Sequence, residues 1–184
     1  MENSPKVVLV TGMQAAGKST IAPLLAARLG PPAATLDGDV FYRGVVAGAE
    51  HMTPDPSAEA VRQLQLRYDA AALVAQHYAD AGFDFVCSDI ILGQDVAKWF
   101  DRLTGVETYL VVLVPSVEAI VGREIGRGGN NSYRDWGGTL EAGVRALQTG
   151  LEDIPRRGLW IDTSGQTPAE SVDEILTDLE KARW

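Results

Sequence analysis

Gly12-Met13-Gln14-Ala15-Ala16-Gly17-Lys18-Ser19 places glycine, glycine, lysine and serine at the spacing G-x-x-x-x-G-K-[ST], and Thr20 follows. Each fixed position has a chemical reason. Glycines at both ends let the backbone wrap a phosphate with its N–H groups pointing inward. A helix opening at the end of the loop adds its positive N-terminus. Lys18 can reach the β- and γ-phosphates of a nucleotide, and Ser19 can place its hydroxyl on Mg²⁺. The competing reading is a chance glycine-rich turn. Context argues against it, because the loop follows the strand-like run Lys6–Thr11 and opens a helical pattern over residues 19–29. The motif thus predicts binding of ATP and Mg²⁺, with Gly12, Ala15, Ala16, Gly17, Lys18, Ser19 and Thr20 around the phosphates and Ser19 at the metal.

Candidate acceptor chemistry lies in the carboxylates. Asp37 and Asp39, in Thr35-Leu36-Asp37-Gly38-Asp39-Val40, stand at the end of a second strand, and Asp89 at the end of a third. Ligands in such folds bind in the crevice beyond the carboxyl ends of the strands. Asp37 suits helix capping as well as function. Asp39 is the candidate to orient an acceptor hydroxyl and take its proton late in a transfer, where orientation counts for more than basicity. Asp89 could orient the same hydroxyl or hold a water on Mg²⁺. Arg123 and Arg127 are four residues apart and so share a helix face, just before the glycine-rich segment 126–132. Charged donors on a closing element suit a lid over the transferring phosphate; a solvated helix end with arginines near its C-terminus is the alternative. Arg134 is a further candidate. Arg43 and Arg67 could meet the acceptor or form structural ion pairs, and His51 lies in a loop beside Met52. The four tryptophans read as packing, and Cys87, in an apolar run, as a buried inert thiol.

The elements that must position these groups alternate. Strands are expected over residues 6–11, 34–37, 83–89, 106–114 and 158–162. Helices are expected over residues 19–29, from near 39, then after a loop over 47–56 from a cap at Asp55 or Ser57 to about 81, and over 94–103, 116–125 and 139–149. The last opens at the capping box Thr167-Pro168-Ala169-Glu170 and carries Val172, Ile175, Leu176 and Leu179. The helix from Asp39 should turn Phe41, Tyr42 and Val45 inward. The long helix should bury Val61, Leu64, Tyr68, Ala71, Leu73, Ala75 and Tyr78. Alternation of this kind implies an α/β domain over residues 1–184, with a parallel sheet of five strands covered on both faces and a lid over about 123–136.

Composition bounds the rest. A hydrophobic share of 46% supports a full core, and a net charge of −9 over 184 residues gives no basic face for a nucleic-acid partner. The N-terminus lacks the basic n-region of a signal peptide, and no apolar run is long enough to span a bilayer, so a cytoplasmic location without a membrane partner is expected.

Over nearly its whole length, and in the same order, the chain resembles the chloramphenicol phosphotransferase-like group of small P-loop kinases, and more distantly the tunicamycin-resistance ATP-binding proteins. The segments that carry the resemblance are Gly12–Ser19, Leu36-Asp37-Gly38-Asp39-Val40, Ser88-Asp89-Ile90-Ile91-Leu92-Gly93, Arg123-Glu124-Ile125-Gly126-Arg127-Gly128 and Asp162-Thr163-Ser164. The resemblance implies a three-layer α/β/α fold, the proposed catalytic aspartate at Asp39, lid arginines at Arg123 and Arg127, and an adenine-side turn at Asp162. Asp-Gly-Asp is also similar to adenylylsulfate kinases.

Together these observations predict a phosphotransferase moving the γ-phosphate of ATP to a hydroxyl of a small molecule, an antibiotic or metabolite, with Asp37, Arg43 and Asp89 near the acceptor. A nucleoside, nucleotide or sugar kinase is the nearest rival, although residues 37–56 carry only Arg43 for an acceptor phosphate. A non-catalytic ATP-gated drug-binding protein is the reading from another class. A GTPase switch lacks its Asn-Lys-x-Asp segment.

Overall fold

The computed structural model describes residues 4–128 and 133–184. In β1 (Lys6–Gly12), Val7 and Leu9 enter one core while Val8 and Val10 enter the other, and all four are fully buried. A strand with two apolar faces needs a cover on each, which is the condition for a parallel sheet between helices. The remaining strands are β2 (Ala33–Asp37), β3 (Asp84–Ser88), β4 (Glu107–Leu113) and β5 (Leu159–Ile161). Their order is β2-β3-β1-β4-β5, and all pairs are parallel.

On one face, α1 (Lys18–Leu29) and α8 (Pro168–Thr177) pack Ile21, Leu25, Val172 and Ile175 onto Val8, Val10 and Val111. On the other, α3 (Ala58–Asp80), α4 (Asp95–Phe100), α5 (Val117–Arg127) and α7 (Leu140–Glu152) cover Val7, Leu9, Phe85 and Leu110. The result is the expected three-layer α/β/α arrangement. The chain winds from β1 first toward β2 and later toward β4, so a crevice opens beyond the carboxyl ends of β1 and β3. Capping follows the sequence signals: Ser57, Ser116, Thr139 and Thr167 each accept a backbone N–H, and Thr167 with Glu170 closes the full capping box.

Two helices differ from their sequence patterns. The α3 helix buries Ala60, Tyr68, Ala71, Ala72, Ala75 and Ala79, whereas Leu73 is 71% exposed and Val61 40%. Small side chains let α3 lie close to the sheet, and the alanine stripe takes the i, i+4 face that the larger residues were expected to occupy. The short α2 (Asp39–Gly44) buries none of its residues. Phe41 packs partly against the core, Val45 lies beyond the helix, and Tyr42 is 37% exposed. A further short helix, α6 (Arg134–Gly137), and a 3-10 turn (Leu179–Ala182) carry no strong sequence signal. Among the described residues, no helix is long and apolar enough to cross a membrane.

Candidate active site

The cradle begins where β1 ends. A Cβ on Gly12 would stand 2.6 Å from the Leu113 carbonyl oxygen of β4, so only glycine permits this close approach. Three residues on, Ala15 holds φ 61°, a left-handed conformation that costs a non-glycine residue on the order of 1–3 kcal/mol. The surroundings enforce it. Arg123 donates from Nη1 to the carbonyls of Ala15 at 3.3 Å and Ala16 at 3.2 Å, and from Nη2 to Thr163 O at 2.5 Å. The Thr163 hydroxyl donates to Ala16 O at 3.3 Å. Arg123 and Thr163 are absent from the crevice walls, so they hold the loop by its carbonyls from behind while Met13, Gln14, Ala15 and Gly17 face the crevice. Gly17 then caps α1, and Thr20 and Ile21 donate back to its carbonyl.

Lys18 stands at the centre of the charge arrangement. Its Nζ donates to Met13 O at 2.8 Å. Burial lowers its pKa to about 8, against the raising pull of Asp89, Asp39 and Asp37, and Arg127 lowers it further. Ser19 is exposed on the crevice wall, and its hydroxyl makes no hydrogen bond with a described residue. An ammonium held beside acids, a free hydroxyl and a helix N-terminus form a donor set that fits a magnesium-bound polyphosphate. Among the described residues, no group of three or more His, Cys, Asp or Glu is placed to hold a metal by itself. Ser19 is the hydroxyl on the crevice wall beside Lys18 that could meet such an ion, with phosphates and water as its other ligands.

Opposite the cradle stand the three acids. Asp37 ends β2, half-buried, and its Oδ1 accepts the Asp39 backbone N–H at 3.0 Å, fixing the start of α2. Asp39 is exposed to the crevice, and its carboxylate makes no hydrogen bond or ion pair with a described residue. Asp89 is buried, 4% exposed; its Oδ1 accepts the Ile90 N–H at 2.7 Å, and its Oδ2 has no hydrogen-bond partner. Burial raises the Asp89 pKa, opposed by Arg67, the Ile90 N–H and Lys18. Gly38 explains why these acids converge. A Cβ there would fall 2.0 Å from Asp89 Oδ2, so the Asp-Gly-Asp turn needs its glycine to pass over the Asp89 carboxylate.

The crevice has a volume of about 960 Å³ and joins both sets of residues. Its far side is walled by Tyr42, His51, Met52, Leu64 and Arg67. The Tyr42 hydroxyl and His51 Nδ1 are hydrogen-bonded, and the Arg67 guanidinium lies 4.9 Å above the Tyr42 ring. Arg67 Nε is buried without a hydrogen-bond partner. Arg43 sits exposed in the last turn of α2, outside these walls. Arg67, the other arginine expected near the acceptor, is on the walls, and its charge opposes the rise of the Asp89 pKa.

The two arginines of α5 separate. Arg123 serves the loop carbonyls, while Arg127 reaches the crevice with its side chain 50% exposed and its Nη1 3.9 Å from Glu124 Oε1. Glu124 is buried, and that oxygen makes no hydrogen bond. Beyond α5, Gly129, Asn130, Asn131 and Ser132 of the anticipated lid lie outside the described residues. The chain resumes at Tyr133, which is buried and donates to Gln14 O at 2.7 Å. Arg134 is exposed, outside the crevice walls, but Asp135 and Trp136 line them, so Trp136 is more than core packing. Sequence reasoning missed Tyr133 and Glu124. An aromatic set in a polar, glycine-rich stretch was the available signal for Tyr133.

The family model for chloramphenicol phosphotransferase-like proteins matches residues 5–180. The chain belongs to this family. As a member, it falls in a class of small-molecule phosphotransferases. A comparison with curated protein sequences gave no match. Solved structures share the fold. A tunicamycin resistance protein from Deinococcus radiodurans has a TM-score of 0.64 at 18% identity, over 95% of this chain and 95% of that one. A sugar kinase from Janibacter sp. has 0.67 at 20% identity, over 97% and 96%. An APS kinase from Mycobacterium tuberculosis, solved with AMPPNP and APS, has 0.64 at 23% identity, over 97% and 99%. Identities this low speak for the architecture and leave the acceptor to this family member's own residues.

Proposed function

We propose that the protein is an ATP- and Mg²⁺-dependent O-phosphotransferase that moves the γ-phosphate to a hydroxyl of a small molecule in the cytoplasm. The carrying observation is one crevice that presents Lys18 and Ser19 on one wall and the uncommitted Asp39 carboxylate on the other. In this reading Lys18 and the loop N–H groups, from Gly12 to Thr20, hold the β- and γ-phosphates. Bound Mg²⁺, ligated by Ser19, supplies neutralisation of charge on the phosphate oxygens. Asp39 orients the acceptor hydroxyl and takes its proton as the new P–O bond forms. The bond to the β-phosphate oxygen breaks, and ADP leaves. Asp89, with Asp37 fixing the turn, keeps the acceptor in line. Arg127 closes on the transferring phosphate as part of a lid, and Arg123 keeps the loop in shape from behind. Arg43, outside the walls, meets an acceptor only if α2 shifts on binding.

The test is direct. Protein, ATP, Mg²⁺ and a library of hydroxylated compounds are incubated, and mass spectrometry reads the gain of one phosphoryl group. Transfer that stops in Lys18→Ala and when Mg²⁺ is chelated supports the reading. ATP bound tightly with no compound modified favours the drug-sequestering alternative instead.

A further inference from the structure

The acceptor half of the crevice carries more negative charge than a neutral or anionic substrate accounts for. The crevice is lined by Asp37, Asp39, Asp89, Asp95 and Asp135 against Lys18, Arg67 and Arg127; with Lys18 and Arg127 given to the phosphates in the reading above, Arg67 is the cation left for the acceptor among the described residues. Lys98 at 2.8 Å and Gln65 at 3.0 Å hold Asp95, so its charge is offset locally. Asp135 is exposed and pairs with no described residue. Asp89 is 4% exposed, faces the crevice, and leaves Oδ2 without a partner. Arg67 lies over the Tyr42 ring and cannot offset every carboxylate. Seating MgATP adds further net negative charge at the phosphate end. A carboxylate, sulfate or phosphate on the acceptor would enter this field uphill, whereas a protonated amine enters it downhill. Trp136 on the crevice wall adds aromatic surface that suits a cation.

From this charge arrangement we infer that the acceptor is an amine-bearing alcohol, an amino alcohol or amino sugar, whose ammonium meets the carboxylates of the acceptor wall while its hydroxyl meets Asp39. The inference rests on the phosphotransferase reading above and names the substrate class within it. The protonated amine has no lone pair to attack phosphorus. The hydroxyl oxygen therefore forms the new P–O bond, its proton passes to Asp39, and ADP is the leaving group. Apolar wall residues Met52, Leu64 and Leu147 suit a compound with a hydrocarbon portion.

Two sets, each matched in scaffold and varied in charge, test it: glucosamine, glucose, gluconate and glucose 6-phosphate; and phenylalaninol with its N-acetyl and N-succinyl forms. Each is supplied with MgATP, and kcat/KM for phosphoryl transfer is measured. The amine members should exceed their uncharged counterparts by about five-fold or more, the worth of a well-placed surface ion pair. The anionic members should accept no phosphate. Asp135→Asn should shrink the advantage of the amines over their uncharged counterparts, a charge-selective change that a merely structural role for Asp135 would not produce. The inference is overturned if anionic or uncharged members do as well as the amines. It is also overturned if no member accepts phosphate although calorimetry shows MgATP bound. Failure to bind MgATP at all would instead overturn the phosphotransferase reading on which it stands.

Discussion

The two ends of the crevice are built in different ways. The phosphate end is mostly backbone: Gly12 pressed against β4, Ala15 in a left-handed conformation, and carbonyls tied down by Arg123 and Thr163. The acceptor end is mostly side chain, carried by the short α2, by residues 45–56 and by one face of α3, with Tyr42 and His51 at or near the surface. Backbone geometry fits what all nucleotides share, and it tolerates little change. Side chains on short exposed elements can be exchanged without disturbing the sheet, so they are where family members are free to differ.

If this contrast holds, substitutions at the phosphate end should stop all transfer, and those at the acceptor end should act on particular acceptors. The largest effect is expected for Arg127→Ala. Arginines that stabilise a transferring phosphate are worth on the order of 10³–10⁵ in rate, so kcat should collapse while ATP affinity changes little. A normal kcat would return Arg127 to a solvated helix end paired with Glu124. Lys18→Ala should lower transfer by about 10²–10³ or more, with the melting temperature kept. Retained activity in that variant would remove the cradle from the mechanism.

Asp39→Asn keeps the size of the side chain but loses the charge and the proton acceptor. Transfer should fall by at least ~10² with nucleotide affinity intact. Asp37→Asn, measured in parallel, should fall less, because Asp37 holds the Asp39 N–H at 3.0 Å. The reverse ranking would make Asp37 the base.

A smaller effect is a pH dependence confined to the phosphate end. Burial holds the Lys18 pKa in the empty protein at about 8, below its usual 10.5. ATP binding that needs the ammonium should therefore weaken by about tenfold from pH 7 to pH 9, and Lys18→Arg should flatten the curve because arginine does not titrate there. The sign for stability is opposite. The unfolded chain binds the extra proton between these two pKa values, so the empty protein gains stability as pH rises through that window. A flat affinity profile in the native protein would remove Lys18 as the titrating contact.

The smallest effect separates stability from function. Burial raises the Asp89 pKa, which means the folded protein holds that carboxylate at a cost when it is charged. Asp89→Asn should raise the melting temperature by roughly 2 °C or more while lowering turnover. A lower melting temperature would show that the Arg67–Asp89 attraction outweighs the burial cost.

Legibility in the sequence divided along the same line. The cradle was readable because its backbone requirement is written in glycines at fixed spacing, and the central strands β1 and β4 because they are apolar, β-branched runs buried on both faces. Tyr42 and Trp136 were not assigned to the crevice, and Arg67 was not told apart from Arg43 as the arginine on its wall. Their positions depend on how α3 and α6 pack, and the alanine stripe that seats α3 was masked by larger residues, Val61 and Leu73, that face solvent. Arg123 and Arg127 share a helix face by spacing, yet one serves the loop carbonyls and the other the crevice, a distinction that only tertiary contacts make. Gly38 carried a hidden message. Its need for glycine comes from a carboxylate more than fifty residues away in the chain, at Asp89.

The most direct measurement follows the γ-phosphate itself. ATP carrying heavy oxygen in its γ-phosphoryl group is turned over with the best amine-bearing acceptor, and the label is located by fragmentation mass spectrometry. The crevice geometry predicts label on an acceptor hydroxyl oxygen in native protein and almost none in Asp39→Asn, with ATP still bound. Label recovered only as inorganic phosphate, with the acceptor unmodified, would contradict it.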